Sequence, residues 1–206
     1  MTGGVFSGCK GLFTPAIPPR PDPGSIPPPN YASPESTLKT MKNGLAAKAQ
    51  GSGHWLGAFA DSSAPGVPGY HQFFDPFDVD AFVTNCGCQA PSDWSLPQEQ
   101  TFYFQFLGVR PGDTYGAVFD SVDSNPDPLP ASTQAILHRH YLVIATSPDG
   151  NSTLIIAIGY ADLTFAKVGD RWLIRRWDDH VDPAVGVNPV DPYQLTLGRR
   201  RLESSQ

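Results

Sequence analysis

Charge is scarce in this sequence. Only 17% of its 206 residues are Asp, Glu, Lys or Arg, and the balance is acidic, with a formal net charge of −6. Phosphate binding needs a basic footprint, so nucleic acid is excluded as a main partner. The one dense basic run, Arg199-Arg200-Arg201, lies next to the C-terminus and reads as a solvated tail. Long apolar runs are missing too. No stretch approaches the roughly 18 residues of a membrane-spanning helix, and the eight residues before Cys9 hold no apolar signal core. Cysteine is scarce, with Cys9, Cys86 and Cys88 alone. Three cysteines fall short of a four-cysteine zinc site. A Cys86–Cys88 bond would close a very small ring. Pairing of one with Cys9, or free thiols, are the other options, and the redox compartment is left open.

Proline and glycine are plentiful, 22 and 20 residues, beside a hydrophobic content of 40%. That composition suits one domain with irregular extensions. Residues 1–32 carry eight prolines and three charged residues without apolar periodicity, and read as an extended leader or tether. Residues 33–183 form the domain, and residues 184–206 a partly ordered C-terminal extension. "FSGCKG" resembles the end of a bacterial lipoprotein signal, where small residues precede a cysteine that becomes lipidated, although Phe6 stands where leucine is usual. A membrane contact is expected only through such a lipid on Cys9, and the expected location is then extracytoplasmic: periplasmic, secreted or lipid-anchored. The alternative is a cytoplasmic protein whose leader holds an incidental cysteine.

Order begins at Ser33-Pro34-Glu35, where an N-cap serine, a proline at the first helical position and an acid in the first turn mark a helix start. Leu38, Met41, Leu45, Ala46 and Ala49 follow at helical spacing. "HWLGAFADS" predicts a short second helix with Trp55, Leu56 and Phe59 on one side. Residues 65–91 read as a loop, with Asp75 and Asp78 suited to turns. "SDWSLPQEQTFYFQFLG" is ambiguous, because it has helix-start signals yet "TFYFQF" alternates like a strand. After Pro111-Gly112 the pattern turns to strands: "TYGAVFDSV", "TQAILHRHYLVIAT" and "STLIIAIGYADLTFAKV". Pro148-Asp149-Gly150-Asn151 makes a hairpin turn, and "RWLIRRWDDH" closes the meander. Helices first, then an antiparallel sheet of about four to six strands, define an α+β domain.

These residues resemble the nuclear-transport-factor-2-like superfamily, which includes ketosteroid isomerase and the SnoaL-like proteins. The ending carries most of the likeness. In "GYADLTFAKVGDRWLIRRWDDH" a strand and a tight turn precede Trp172, Ile174, Trp177 and Asp179. The chain is also similar to uncharacterised secreted or lipoprotein-type bacterial members, through Trp94 and Glu99 in the middle and "LTLGRRR" at the end. The resemblance implies a helix over about residues 93–107. It also implies a strongly curved, cystatin-like cone whose mouth takes a small hydrophobic ligand, and a homodimer through the open sheet face. Ketosteroid isomerase pairs an aspartate base with an oxyanion hole made by a tyrosine and a protonated aspartate. That triplet has no match here, since the first helix contains no tyrosine. Epoxide hydrolases of this fold use an Arg-x-Asp strand motif, where this chain has Tyr160-x-Asp162.

Tyr160 and Asp162 leave the same face of one strand, and His138 and His140 the same face of its hairpin partner. If the faces match, Asp162, Tyr160 and His140 form a candidate acid–base set. His138, Arg176 and Asp178 join Trp55 and Trp177 as candidate binding residues, the tryptophans as aromatic walls and Trp177 near the rim. The competing reading puts the polar groups on a solvated outer face. His138-x-His140 also has metal-ligand spacing, with Asp178 or His180 as a third ligand, but two exposed strand histidines are the simpler account. No metal or cofactor is expected. The expected function is small-ligand binding or assembly. The alternative is a cofactor-independent SnoaL-like lyase, isomerase or hydrolase.

Overall fold

The computed structural model describes residues 25–62, 68–186 and 194–206. Cys9 and most of the Pro-rich leader lie outside them, and so does the question of a lipid anchor. The last leader residues pack on the domain. The Tyr31 carbonyl accepts a hydrogen bond from Trp172 N (2.7 Å), and the Tyr31 ring carries Arg171 over it.

Helix α1, Pro34–Ala46, starts as the sequence predicts. The Ser33 hydroxyl accepts from Ser36 N, and the Ser36 hydroxyl accepts in turn from Ser33 N, a reciprocal cap. Its apolar stripe buries Leu38, Met41 and Leu45. The expected second helix is shorter than its apolar pattern suggests. A 3₁₀ turn over Lys48–Gly51 leads into α2, Ser52–Leu56. The chain then turns extended so that Phe59 bridges Ile174.

Residues 65–91, read as a loop, hold two elements among their described positions. Strand β1, His71–Phe73, and helix α3, Pro76–Cys86, occupy them. Asp75 caps α3 by accepting from Phe77 N at 2.8 Å, and Gly87, in the left-handed region at φ 66°, ends it. Helix α4, Leu96–Gly108, settles the ambiguous segment as helix, with Ser95 and Gln98 forming its cap. It begins a little later than residue 93, because Ser95 and not Ser92 or Asp93 is the cap.

Strands β2 (Thr114–Ser121), β3 (Gln134–Thr146), β4 (Thr153–Val168) and β5 (Arg171–His180) form the expected antiparallel meander. The sheet order is β1-β5-β4-β3-β2, and β1 runs parallel to β5, so the five-stranded sheet is mixed and not wholly antiparallel. Register shifts at Val143/Ile144 and Thr164/Phe165 supply the irregularities that bend long strands. Helices cover one face. There Tyr141, Val143, Leu163, Phe165, Ile174 and Trp177 meet Leu38, Met41, Trp55, Phe102 and Tyr103 in one core.

The C-terminal extension departs most from expectation. It ends in helix α5, Leu197–Ser204, capped by the Thr196 side chain. Leu197 and Leu202 are buried, and so are Arg199 and Arg201 of the run that reads as a solvated tail. Arg201 is drawn inside because a buried carboxylate, Glu99 of α4, awaits it.

Candidate functional site

The sheet presents two faces of different character. On β3, Leu137, Arg139, Tyr141 and Val143 are buried, while His138, His140 and Leu142 between them are half-buried. Strand alternation alone produces this split.

The inner face lines the interior of the cone, which is filled by the chain itself. Glu99 accepts from Trp55 Nε1 (3.1 Å) and Trp94 Nε1 (3.0 Å), and both its oxygens accept from Arg201 (2.8 and 2.9 Å). The Arg201 guanidinium lies over Trp177 at 4.6 Å and Phe102 at 5.1 Å from the ring centroids. Arg201 Nη1 stands 3.7 Å from Asp179 Oδ2. Tyr141 donates to Asp179 Oδ1 at 2.6 Å and accepts from Leu197 N at 2.8 Å, which ties the start of α5 to β3. Burial raises Asp179 to about 7, against the opposing pull of Arg201 and the Tyr141 hydroxyl. Desolvation likewise lifts Asp78 to about 6, although Thr196 donates to it. Burial opposes the charge of Arg201, but Glu99 outweighs it and holds the guanidinium protonated.

Trp55 and Trp177, candidates for ligand-binding walls, are both buried in this interior. Trp177 is therefore not at a rim. The charged neighbours that suggest one, Arg175 and Arg176, are both exposed: Arg176 alternates with Trp177, and the register shift at Thr164/Phe165 leaves Arg175 as the extra residue of a bulge.

The outer face gathers the remaining candidates. His138 stands opposite Asp162, and Asp162 opposite Asp178. One row further on, His140 is opposite Tyr160, and Tyr160 opposite His180. All six share one face. His138 Nδ1 donates to Asp162 Oδ1 at 2.6 Å, and His180 Nε2 lies 3.4 Å from Asp162 Oδ2. His138 is 16% exposed at its side chain and Asp162 39%. His140 does not join them. Its Nε2 bonds Asp182 Oδ2 at 3.1 Å, while its ring tilts against Tyr160 with centroids 4.8 Å apart. Arg176 forks onto Asp178 through two 2.7 Å bonds and stacks on Phe73. That pair neutralises itself in the open, a step away from the histidines.

Over these rows lies a cavity of about 400 Å³. His138, Tyr160, Asp162 and His180 line it, closed in by Ser124 and Asn125 after β2 and by Val181 and Pro183 after β5. A carboxylate that accepts a hydrogen bond from Nδ1–H fixes the tautomer and leaves the opposite ring nitrogen as the acceptor, the arrangement by which a His–Asp pair takes up a proton from a neighbour. Among the described residues, no group of three or more His, Cys, Asp or Glu is disposed to hold a metal ion. His180, Asp182 and the lining from Ser124, Asn125 and Pro183 are absent from the sequence-derived acid–base set. His180 has the parity to join Tyr160 and was visible only as a metal option, whereas Asp182 sits beyond the strand and carried no signal.

No protein-family model and no curated protein matches the sequence. Solved structures do match. Rv3472, a protein of unknown function from Mycobacterium tuberculosis, superposes with a TM-score of 0.54 at 12% identity, covering 82% of this chain and 85% of that one. Aln2 from a Streptomyces species gives 0.51 at 14% identity over 74% of this chain and 95% of its own. ActVI-ORFA from Streptomyces coelicolor gives 0.50 at 11% over 72% and 93%. At such identities the likeness is one of fold. With its opening helices, curved sheet and helix-filled cone, the chain has the nuclear-transport-factor-2-like, cystatin-like fold.

Proposed function

We propose that the protein binds a small molecule on the outer face of the sheet, in the cavity over His138, Tyr160, Asp162 and His180. The observation that carries this reading is the Asp162 carboxylate set between two imidazoles at the wall of a cavity of about 400 Å³. That volume falls within the range of small-molecule sites. The cone interior is the less favoured place, because Arg201, Trp177 and Trp55 already fill it. A purely hydrophobic ligand suits the outer site poorly. Two imidazoles, a phenol, a carboxylate, Ser124 and Asn125 offer donors and acceptors, which fits a small hydroxyl- or carbonyl-bearing molecule.

The test is a screen of such compounds by thermal shift, with hits followed through the imidazole NMR signals of His138 and His180. Binding that moves both signals and is lost in His138→Ala supports the site. Hits that shift only the indole signals of Trp55 or Trp177 would move the function back to the cone.

A second reading rests on the same 2.6 Å His138–Asp162 bond. The pair acts as a general base and Tyr160 as a donor, making the protein a cofactor-independent lyase, isomerase or hydrolase. Turnover of a bound hit that disappears in Asp162→Asn while binding persists separates catalysis from binding. The open sheet face is also the surface on which the resemblance puts a homodimer. Light scattering that gives a dimer, together with loss of ligand access, would assign the face to assembly.

A further inference from the structure

We propose that Cys86 and Cys88 form a redox-active pair that exchanges with small thiols of the glutathione class. The two are joined by a disulfide two positions apart in sequence. Such a bond closes a very short loop, and loop closure is what makes a cross-link stabilise a fold. It ties no separate elements together either. Cys86 is the last residue of α3, and Cys88 lies just past the helix cap. That cap is complete without sulfur, because Gly87 adopts the left-handed conformation at φ 66° and donates to Val83 O at 2.9 Å. The bond therefore has no structural task that the backbone does not already perform.

What the pair does have is access and a built-in leaving group. Both cysteines are partly exposed, with exposed Gly87 between them. Cys88 N donates to Cys86 Sγ at 3.1 Å. An amide aimed at sulfur favours the thiolate form, and thiolate stability governs which sulfur departs in exchange. Attack is thus directed at Cys88. An incoming thiolate bonds to Cys88 Sγ, the Sγ–Sγ bond breaks, and Cys86 leaves as a thiolate that takes up a proton from water. A second thiol then attacks the mixed disulfide at its own sulfur and releases Cys88. Two electrons pass to the protein, and two small thiols leave as one disulfide. The reverse sequence reoxidises the pair.

The experiment equilibrates the full chain in buffers of reduced and oxidised glutathione and reads the state of each cysteine by alkylation and mass spectrometry. Cys9→Ser serves as a parallel sample, to remove the third thiol. The expected result is reversible interconversion of Cys86 and Cys88, with a glutathione adduct that accumulates on Cys88 in Cys86→Ser. Reduction should leave the melting temperature unchanged. A pair that stays oxidised across the whole glutathione range overturns the proposal. So does a marked fall in melting temperature on reduction, which would make the bond structural, or a native cross-link from Cys9 to either residue.

Discussion

The same strand, β3, serves two chemistries one residue apart. On its inner side Arg139 is buried, bonds both oxygens of Asp127 at 2.8 Å and pairs with Glu35 of α1. Two residues on, Tyr141 bonds Asp179. On its outer side His138 and His140 reach Asp162 and Asp182 while remaining partly open to water. Arg139, Tyr141, Asp179, Glu99 and Arg201 hold one another or a carboxylate in place by packing, although Asp179 Oδ2 and Arg201 Nη1, 3.7 Å apart, make no hydrogen bond, and this set specifies the fold. The outer charges have partners too, but also room for something else to approach. Burial, more than residue type, divides the structural charges from the available ones, since both faces use carboxylates and cations.

The inner set should respond most to mutation. Glu99→Ala strands a buried guanidinium and removes the acceptor of two indoles. Breaking a buried pair from one side costs about 3–5 kcal/mol, a fall of roughly 10 °C in melting temperature for a domain of this size. Arg201→Ala should fall in the same range, and it should detach α5, read as a loss of amide protection over Leu197–Ser204. If Arg201→Ala melts like the parent, the interior is not held as described.

Next in size is Gly159→Ala. A Cβ there would lie 2.6 Å from the Tyr141 hydroxyl and 2.8 Å from His180 O. The tyrosine must move off Asp179, and the loss of stability should be about 1–3 kcal/mol. Chemical denaturation measures it. Tyr141→Phe should fall in the same range of about 1–3 kcal/mol, since it avoids the clash but leaves Asp179 Oδ1 and Leu197 N buried without their partner.

The pH dependence follows from Asp179. Its folded value, raised by burial to about 7, lies above that of an unfolded aspartate, so the folded state holds the extra proton between them. Stability should be full at the acid end of that window and decline as pH rises through about 7. Asp78, raised to about 6, contributes in the same direction. Asp179→Asn should flatten the decline to the share of Asp78. A parent whose melting temperature rises over pH 4–7 contradicts this account of the interior.

What was legible in the sequence was whatever is encoded locally. Ser33-Pro34-Glu35 announces α1 because a cap is made by neighbours, and Pro148-Asp149-Gly150 announces the β3–β4 hairpin for the same reason. Helix α3 had comparable punctuation in Asp75-Pro76 at its start and Gly87 at its end, but its dense aromatics hid the helical period. The arginine run at 199–201 was not legible as an interior element. Its fate depends on Glu99, 102 positions away, and no local pattern marks such a pair. The candidate site divides in the same way. Parity placed His138, His140, Tyr160 and Asp162 on one face, because alternation and a hairpin turn suffice for that. Which histidine reaches Asp162 depends on register and on residues after β5, so the choice of His140 over His138 had no basis in spacing.

The smallest expected effect on stability is also the one that bears on function. Asp162→Asn keeps the shape of the outer cluster and still offers an oxygen to His138 Nδ1, so it removes charge but not the contact. Because Asp162 is still partly open to water, its pairs with His138 and His180 are worth about 1 kcal/mol or less, and the melting temperature should move little. Ligand affinity or turnover at the outer cavity should fall nonetheless, because the carboxylate that orients His138 is gone. The reverse pattern, a large loss of stability with binding intact, would make His138–Asp162 a structural pair like those inside. It would erase the distinction between the two faces of the sheet.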